Sequence, residues 1–246
     1  MCIRDSLEVV ALRGLDLEVL KGDIIAIVGD SGSGKTTLLN ILAGLEIPSA
    51  GHLSVSGKDL LAMSNRDRIT YRRLDVGFIW QMPSRNLIDY MSILDNVCLP
   101  MFIVGGKQST IRRRAADLLD SLGLQDKLNA RPEHLSGGEQ QRAAIAVALA
   151  NQPTLILADE PTGELDTETS EDVFNLLHQI NKTTGSTIVI VTHDNSVSKY
   201  VSRVARFRDG LISSERRGES TFQRKGDTVE RDYVVIERAG RLQLPQ

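Results

Sequence analysis

An apolar run, a glycine-rich loop and a helix follow one another at residues 23–43, and this order constrains the fold more than any other stretch. Asp23-Ile24-Ile25-Ala26-Ile27-Val28 reads as a buried strand. Gly29-Asp30-Ser31-Gly32-Ser33-Gly34-Lys35-Thr36 fits the pattern G-x-x-x-x-G-K-[ST]. Thr37-Leu38-Leu39-Asn40-Ile41-Leu42-Ala43 reads as a helix, with Gly44 as its stop. Strand, glycine loop and helix are the context in which such a loop binds phosphate. Its glycines let successive backbone N–H groups turn inward on phosphate oxygens, and the helix N-terminus adds partial positive charge. Lys35 brings a full charge to the β- and γ-phosphates, and the Thr36 hydroxyl can ligate Mg2+. The competing reading, a glycine-rich turn that binds nothing, does not account for the strand and helix on either side.

Further motifs lie downstream in a fixed order. Gln81 closes Val76-Gly77-Phe78-Ile79-Trp80-Gln81, a strand candidate. In Leu135-Ser136-Gly137-Gly138-Glu139-Gln140-Gln141-Arg142, Ser136 and Glu139 have the spacing of a capping box. A helix from about Gly137 carries Ala143, Ala144, Ala146, Val147 and Ala150 into the fold. Gly137 and Gly138 weaken that helix but allow close backbone approach to a ligand. With Ser136 they form a second anion site; the plainer alternative is an ordinary capped helix start. Thr154-Leu155-Ile156-Leu157-Ala158 reads as a fully buried strand ending in Asp159-Glu160-Pro161. Ligands of open α/β sheets gather at such strand ends. Thr187-Ile188-Val189-Ile190-Val191 is another strand candidate and leads to Thr192-His193-Asp194. His52, His134 and His178 lack that context and read as surface or packing residues.

These motifs, in this order over residues 7 to about 212, resemble the ATP-binding cassette (ABC) ATPases. The resemblance implies an α/β P-loop NTPase fold with an antiparallel β subdomain and a helical subdomain. It also implies a homodimer that shares two ATP sites. Gly29, Ser31, Gly32, Ser33, Gly34, Lys35, Thr36 and Thr37 then contact ATP, and Ser136, Gly137 and Gly138 complete the site of the other subunit. Thr36, Asp159 and Gln81 are the Mg2+ positions. Glu160 resembles the catalytic glutamate that polarises water, His193 the switch histidine at the γ-phosphate, and Gln81 the hinge glutamine of the helical subdomain. Gly163-Glu164-Leu165-Asp166 resembles the loop that couples the two sites, with Asp166 at the communicating position; Glu164 stands where most relatives carry a small residue.

Composition fits this class. A chain of 246 residues, 41% hydrophobic, can bury a sizeable core. The net charge of −3 carries no basic signature of nucleic-acid binding. No apolar run approaches the length of a membrane span, no secretory pattern opens the chain, and Cys2 and Cys98 show neither metal spacing nor a disulfide framework. A cytoplasmic protein is expected, peripheral on the inner face of the membrane through a permease.

Residues 7–30 and 51–80 read as strand-rich, with Leu53-Ser54-Val55-Ser56-Gly57 a short hairpin strand. Residues 82 to about 150 read as helical, including a helix over Ser109–Leu122 ended by Gly123. Between Glu168 and Lys182 a stripe of Val173, Leu176, Leu177 and Ile180 marks an amphipathic helix. The cassette is expected over residues 1–212. Residues 1–6 are atypical: they lack the aromatic that stacks on adenine in the family and read as a foreign start on a truncated frame. Residues 213–232 read as a charged linker. Residues 233–246 read as part of a swapped-hairpin dimerisation segment or, equally, as a loose hairpin.

Within the family, Arg85-Asn86-Leu87, Leu99-Pro100-Met101 and Ala158-Asp159-Glu160-Pro161-Thr162-Gly163 resemble the lipoprotein-releasing and macrolide-export ATPases. That implies an integral membrane permease with an external domain, moved by ATP-driven closure. A cell-division-type regulatory ATPase that transmits force without transport is the alternative. A soluble DNA-repair or translation ATPase is disfavoured by the lone cassette and the acidic balance.

Overall fold

A computed structural model describes residue 12 and residues 14–208, 210–218 and 230–234. A seven-stranded sheet organises it: in the order β4 (Val76–Ile79), β5 (Leu155–Asp159), β6 (Thr187–Thr192), β1 (Ile24–Val28), β7 (Arg203–Arg208), β8 (Leu211–Gly218) and β9 (Glu230–Val234). The first five are mutually parallel, whereas β8 and β9 add antiparallel to the far edge. A separate two-stranded hairpin joins β2 (Ser54–Val55) to β3 (Lys58–Asp59).

Every residue of β1 and β5 is buried, as expected of strands covered on both faces. Successive side chains alternate between two cores. Ile25 and Ile27 of β1 face the helix that follows the glycine loop, α1 (Lys35–Leu42), through Leu38 and Leu39. Ile24, Ala26 and Val28 face the other core. There they meet α3 (Ile93–Val104), α4 (Gln108–Ser121), α5 (Gly137–Leu149) and α6 (Thr167–Thr184). The expected helices are present. α4 stops at Gly123, whose φ is 71°. α6 buries Val173, Phe174, Leu177 and Ile180, with Leu176 half-buried beside them.

Three stretches differ from the sequence reading. Residues 65–74, expected to be strand-rich, form α2 (Asn65–Leu74). The Ser64 hydroxyl accepts the Asp67 N–H at 3.2 Å, with Asp67 in the first turn and Arg72 and Arg73 in the last. This cap and charge order suits a helix dipole, and the stretch lacks the alternation a strand needs. Among the described residues of 14–30, only β1 is strand. The expected linker, 213–232, is strand at both described ends: β8 runs to Gly218 beside β7, and β9 begins at Glu230 beside β8. Residues 1–11, 13 and 219–229, and all but Tyr233 and Val234 of the expected C-terminal segment, lie outside the described residues.

Gly77 shows how closely β4 packs on α5. A Cβ there would lie 2.5 Å from the Ala148 carbonyl oxygen and 2.9 Å from Pro153 Cγ. Gly77→Ala should therefore cost about 1–3 kcal/mol by overpacking. In urea unfolding this is a lower midpoint with an unchanged slope.

Candidate active site

The site forms because three parallel strands end level. Val28 of β1 is opposite Thr192 of β6, and Asp159 of β5 is opposite Val191. The residues that follow each strand therefore emerge side by side at the C-terminal edge. Hydrogen bonds extend the ladder into the loops: Gly29 N–H donates to Thr192 O at 3.3 Å, and Glu160 N–H to Val191 O at 2.8 Å.

The phosphate-loop pattern has the shape its chemistry needs. Gly32 and Gly34 adopt φ of 78° and 102°, conformations natural only to glycine. Gly29 runs so close to the Phe207 carbonyl that a side chain there would collide with it. Lys35 is 7% exposed, and its ammonium donates to the Gly29 and Asp30 carbonyls, each at 2.7 Å. Ser33 Oγ is buried with no partner, a polar atom placed for a ligand. Backbone N–H groups, a lysine and an idle hydroxyl make a donor set that fits phosphate.

Thr36 opens α1 and lies across from the end of β5; its hydroxyl meets Asp159 Oδ1 at 3.4 Å. Asp159 is buried, and burial raises its carboxyl above the usual range. The Thr36 hydroxyl opposes that rise, the Glu160 charge adds to it, and Lys35 and Arg85 also oppose it. A hydroxyl and one carboxylate fit Mg2+, which binds through one or two carboxylates plus substrate phosphates and keeps several waters.

Glu160 has a φ of 47°, a left-handed conformation rare for a residue with a side chain. Strain of this kind gathers at functional sites. Its carboxylate accepts the His193 backbone N–H at 3.2 Å and lies 3.0 Å from His193 Nδ1. His193 is mostly exposed, so its ring is presented outward from a fixed carboxylate. A cleft of about 230 Å3 opens beside the pair, lined in part by Thr162, Gly163, Glu171 and Asp194. Gln81 comes to the same place. A Cβ on Gly163 would lie 3.3 Å from Gln81 Nε2 and 3.6 Å from Glu160 Cβ.

Ser136, Gly137, Gly138 and Asp166 form a second group. Ser136 caps α5 in a complete capping box: it accepts the Glu139 N–H at 3.3 Å, and its own N–H donates to Glu139 Oε2 at 2.8 Å. Ser136 and Gly137 are exposed. Gly138 packs on the start of α6, where a Cβ would be 2.7 Å from Thr169 Cγ2. Asp166 caps α6, accepting the Thr169 N–H at 3.0 Å and its hydroxyl at 2.8 Å; these bonds hold its carboxyl below the usual range. The loop Gly163–Asp166 thus connects the two groups, with Gly163 against Gln81 and Leu165 beside Gly137.

Sequence reasoning missed two contributors here. Asn86 closes the turn after β4, its side chain accepting the Trp80 N–H at 3.0 Å and donating to Phe78 O at 2.7 Å. Arg85 carries positive charge toward Asp159. Sequence reasoning read Arg85-Asn86-Leu87 only as a mark of the subgroup, and Pro83 followed by polar residues marks a turn but not its partners.

Gly163 makes this crowding testable. Gly163→Val drives bulk between Gln81 and Glu160, and kcat for ATP hydrolysis should fall roughly ten- to a hundredfold, as misplacement near 1 Å does elsewhere. Thermal unfolding should change little, since the turn is outside both cores.

Comparison with known proteins identifies the family. Residues 12–163 match the ABC transporter family. The chain is 44% identical over 205 residues to the lipoprotein-releasing system ATP-binding protein LolD 2 of Caulobacter vibrioides, covering 83% of this chain and 89% of that one. It is 45% identical over 212 residues to the macrolide export ATP-binding/permease protein MacB of Syntrophobacter fumaroxidans, covering 85% of this chain but only 29% of that protein. An ATP-binding cassette solved as a dimer in a post-hydrolysis state with ADP and Pi superposes with a TM-score of 0.76. That pair shares 37% identity over 84% of this chain and 90% of the other. The chain belongs to the ABC transporter family, as one of its ATPase cassettes.

Proposed function

We propose that this ATPase binds two ATP·Mg2+ between two copies of itself and drives a partner membrane permease with an external domain, in export or lipoprotein release. The observation that carries the reading is the convergence of Lys35, Thr36, Asp159, Glu160, His193 and Gln81 at one sheet edge, with Ser136 and Gly137 exposed at the head of a capped helix. The phosphate loop holds the nucleotide through its N–H groups and Lys35. Thr36, Asp159 and Gln81 hold Mg2+, which when bound neutralises charge on the β- and γ-oxygens. Glu160 orients and polarises the attacking water, and His193, fixed by Glu160, reaches the γ-phosphate. Ser136, Gly137 and Gly138 of the partner subunit close over that phosphate. Its loss after hydrolysis removes the bridge and lets the pair open. Among the described residues no helix is long and apolar enough to cross a membrane; on this reading the cassette acts on the inner face through the permease.

Lys35→Ala should abolish measurable nucleotide binding in a fluorescent-nucleotide titration. Glu160→Gln should slow hydrolysis by about 10²–10⁴-fold, the usual worth of a positioned acid–base group, while ATP binding persists. In sedimentation, that variant should be a dimer with ATP·Mg2+ and a monomer without it. A monomer with full activity would refute the shared site. Lys35→Ala mixed with Ser136→Arg should regain hydrolysis that neither shows alone, because one composite site of the mixed pair is intact.

A further inference from the structure

A second, smaller cavity shares a wall with the catalytic cleft. That wall is the 3-10 turn Asn195–Lys199, which follows His193 and Asp194. Asp194 and Ser196 line the catalytic cleft, whereas Asn195 and Ser198 line the second cavity. Asp194 holds the turn in place by accepting the Ser196 N–H at 2.7 Å and the Ser196 hydroxyl at 2.6 Å. The rest of the lining comes from the sheet. β7 and β8 pair antiparallel with Val204 opposite Arg216 and Arg206 opposite Ser214. Residues two apart on a strand share a face, and all four of these side chains line the cavity. Arg206 and Arg216 are diagonal neighbours in this register, near enough for two long side chains to meet one ligand. Ser214 is 7% exposed and lines the same space.

The lining thus holds two guanidinium groups, two hydroxyls and an amide, and no carboxylate. Arg206 makes no ion pair among the described residues. Guanidinium N–H groups pair best with the oxygens of a carboxylate or a phosphate, and the hydroxyls and the amide can donate to further oxygens. At about 80 Å3 the cavity is far below the roughly 300 Å3 at which pockets for cofactor-sized ligands begin, so it admits one small anion and no nucleotide. We infer that this cavity is an oxyanion site separate from the ATP site, and that its ligand is inorganic phosphate. Phosphate offers two arginines and two hydroxyls more acceptor oxygens than a carboxylate does. Hydrolysis of ATP also releases it at the cleft on the other side of the shared turn. The inference needs only the ATPase activity of the family, not the shared-site arrangement proposed above.

The test measures uptake of radiolabelled inorganic phosphate by the full chain in equilibrium dialysis. The ATP site is filled with a slowly hydrolysed ATP analogue and Mg2+, because the glycine loop would itself take phosphate. Chloride at about 0.15 M screens diffuse attraction to surface charge. The parent should bind one phosphate per chain and saturate. Arg206→Met should weaken that binding about tenfold, the scale of one charge-assisted hydrogen bond. Arg206→Lys should weaken it less, since the charge stays but the fork geometry goes. Ser198→Asp sets a carboxylate among the arginines from the turn and should exclude phosphate as a built-in competitor. Affinity for the ATP analogue should be the same in all three variants, which separates this cavity from the glycine loop. Arg206 is exposed and Ser198 half-buried, so the variants should unfold near the parent temperature; should one fail to fold, the other decides the matter. Uptake that never saturates, or that vanishes in chloride, is attraction to surface charge and overturns the inference. A saturable site that either Arg206→Met or Ser198→Asp leaves intact overturns it as well.

Discussion

The level ending of β5, β6 and β1 is the constraint on which the rest depends. Parallel pairing with Asp159 opposite Val191 and Val28 opposite Thr192 brings an acid pair, a histidine and a glycine loop to one line. A slip of one residue in any strand would reverse its faces as well as displace its end. The buried alternation of Ile24, Ala26 and Val28 against Ile25 and Ile27 therefore guards the chemistry as much as the core. Apolar side chains set the register, and the register sets the distance between Thr36 and Asp159.

Much of this was legible in the sequence, and what was not has physical causes. The strands β1, β5 and β6 are short apolar runs, and α6 has a clear stripe, so hydrophobic patterning finds them. α2 was hidden because its surface is mostly polar and charged, it has no apolar stripe, and only Tyr71 is fully buried; Ser64 and Asp67 were the available signal. The start of β8 was hidden because Ser213-Ser214-Glu215-Arg216 reads as polar. Glu215 is nonetheless paired with Arg203, which is 8% exposed and also meets Asp23 at 2.9 Å. A strand held by ion pairs carries little apolar signature. At the site, motif spacing located the groups but could not reveal the left-handed turn at Glu160, which is held by Val191 and His193 at the end of a strand far away in sequence.

The loop Gly163–Asp166 explains why the two groups of site residues are not independent. Its first residue leans on Gln81 and Glu160, and its third lies beside Gly137. Asp166 is held by its cap on α6, so the loop has a fixed anchor at one end and Glu160 at the other. Glu164 lies exposed within this loop.

The lysine of the glycine loop has a consequence for how a nucleotide is received. Lys35 already rests on two carbonyls of its own loop, largely withdrawn from water. The desolvation of an ammonium, ordinarily a cost met at the moment of association, is here met during folding. Arrival of phosphate is then an exchange of partners, in which carbonyl oxygens are traded for oxygens of full negative charge. The shape of the loop is thus held by its own lysine through two short bonds to its backbone.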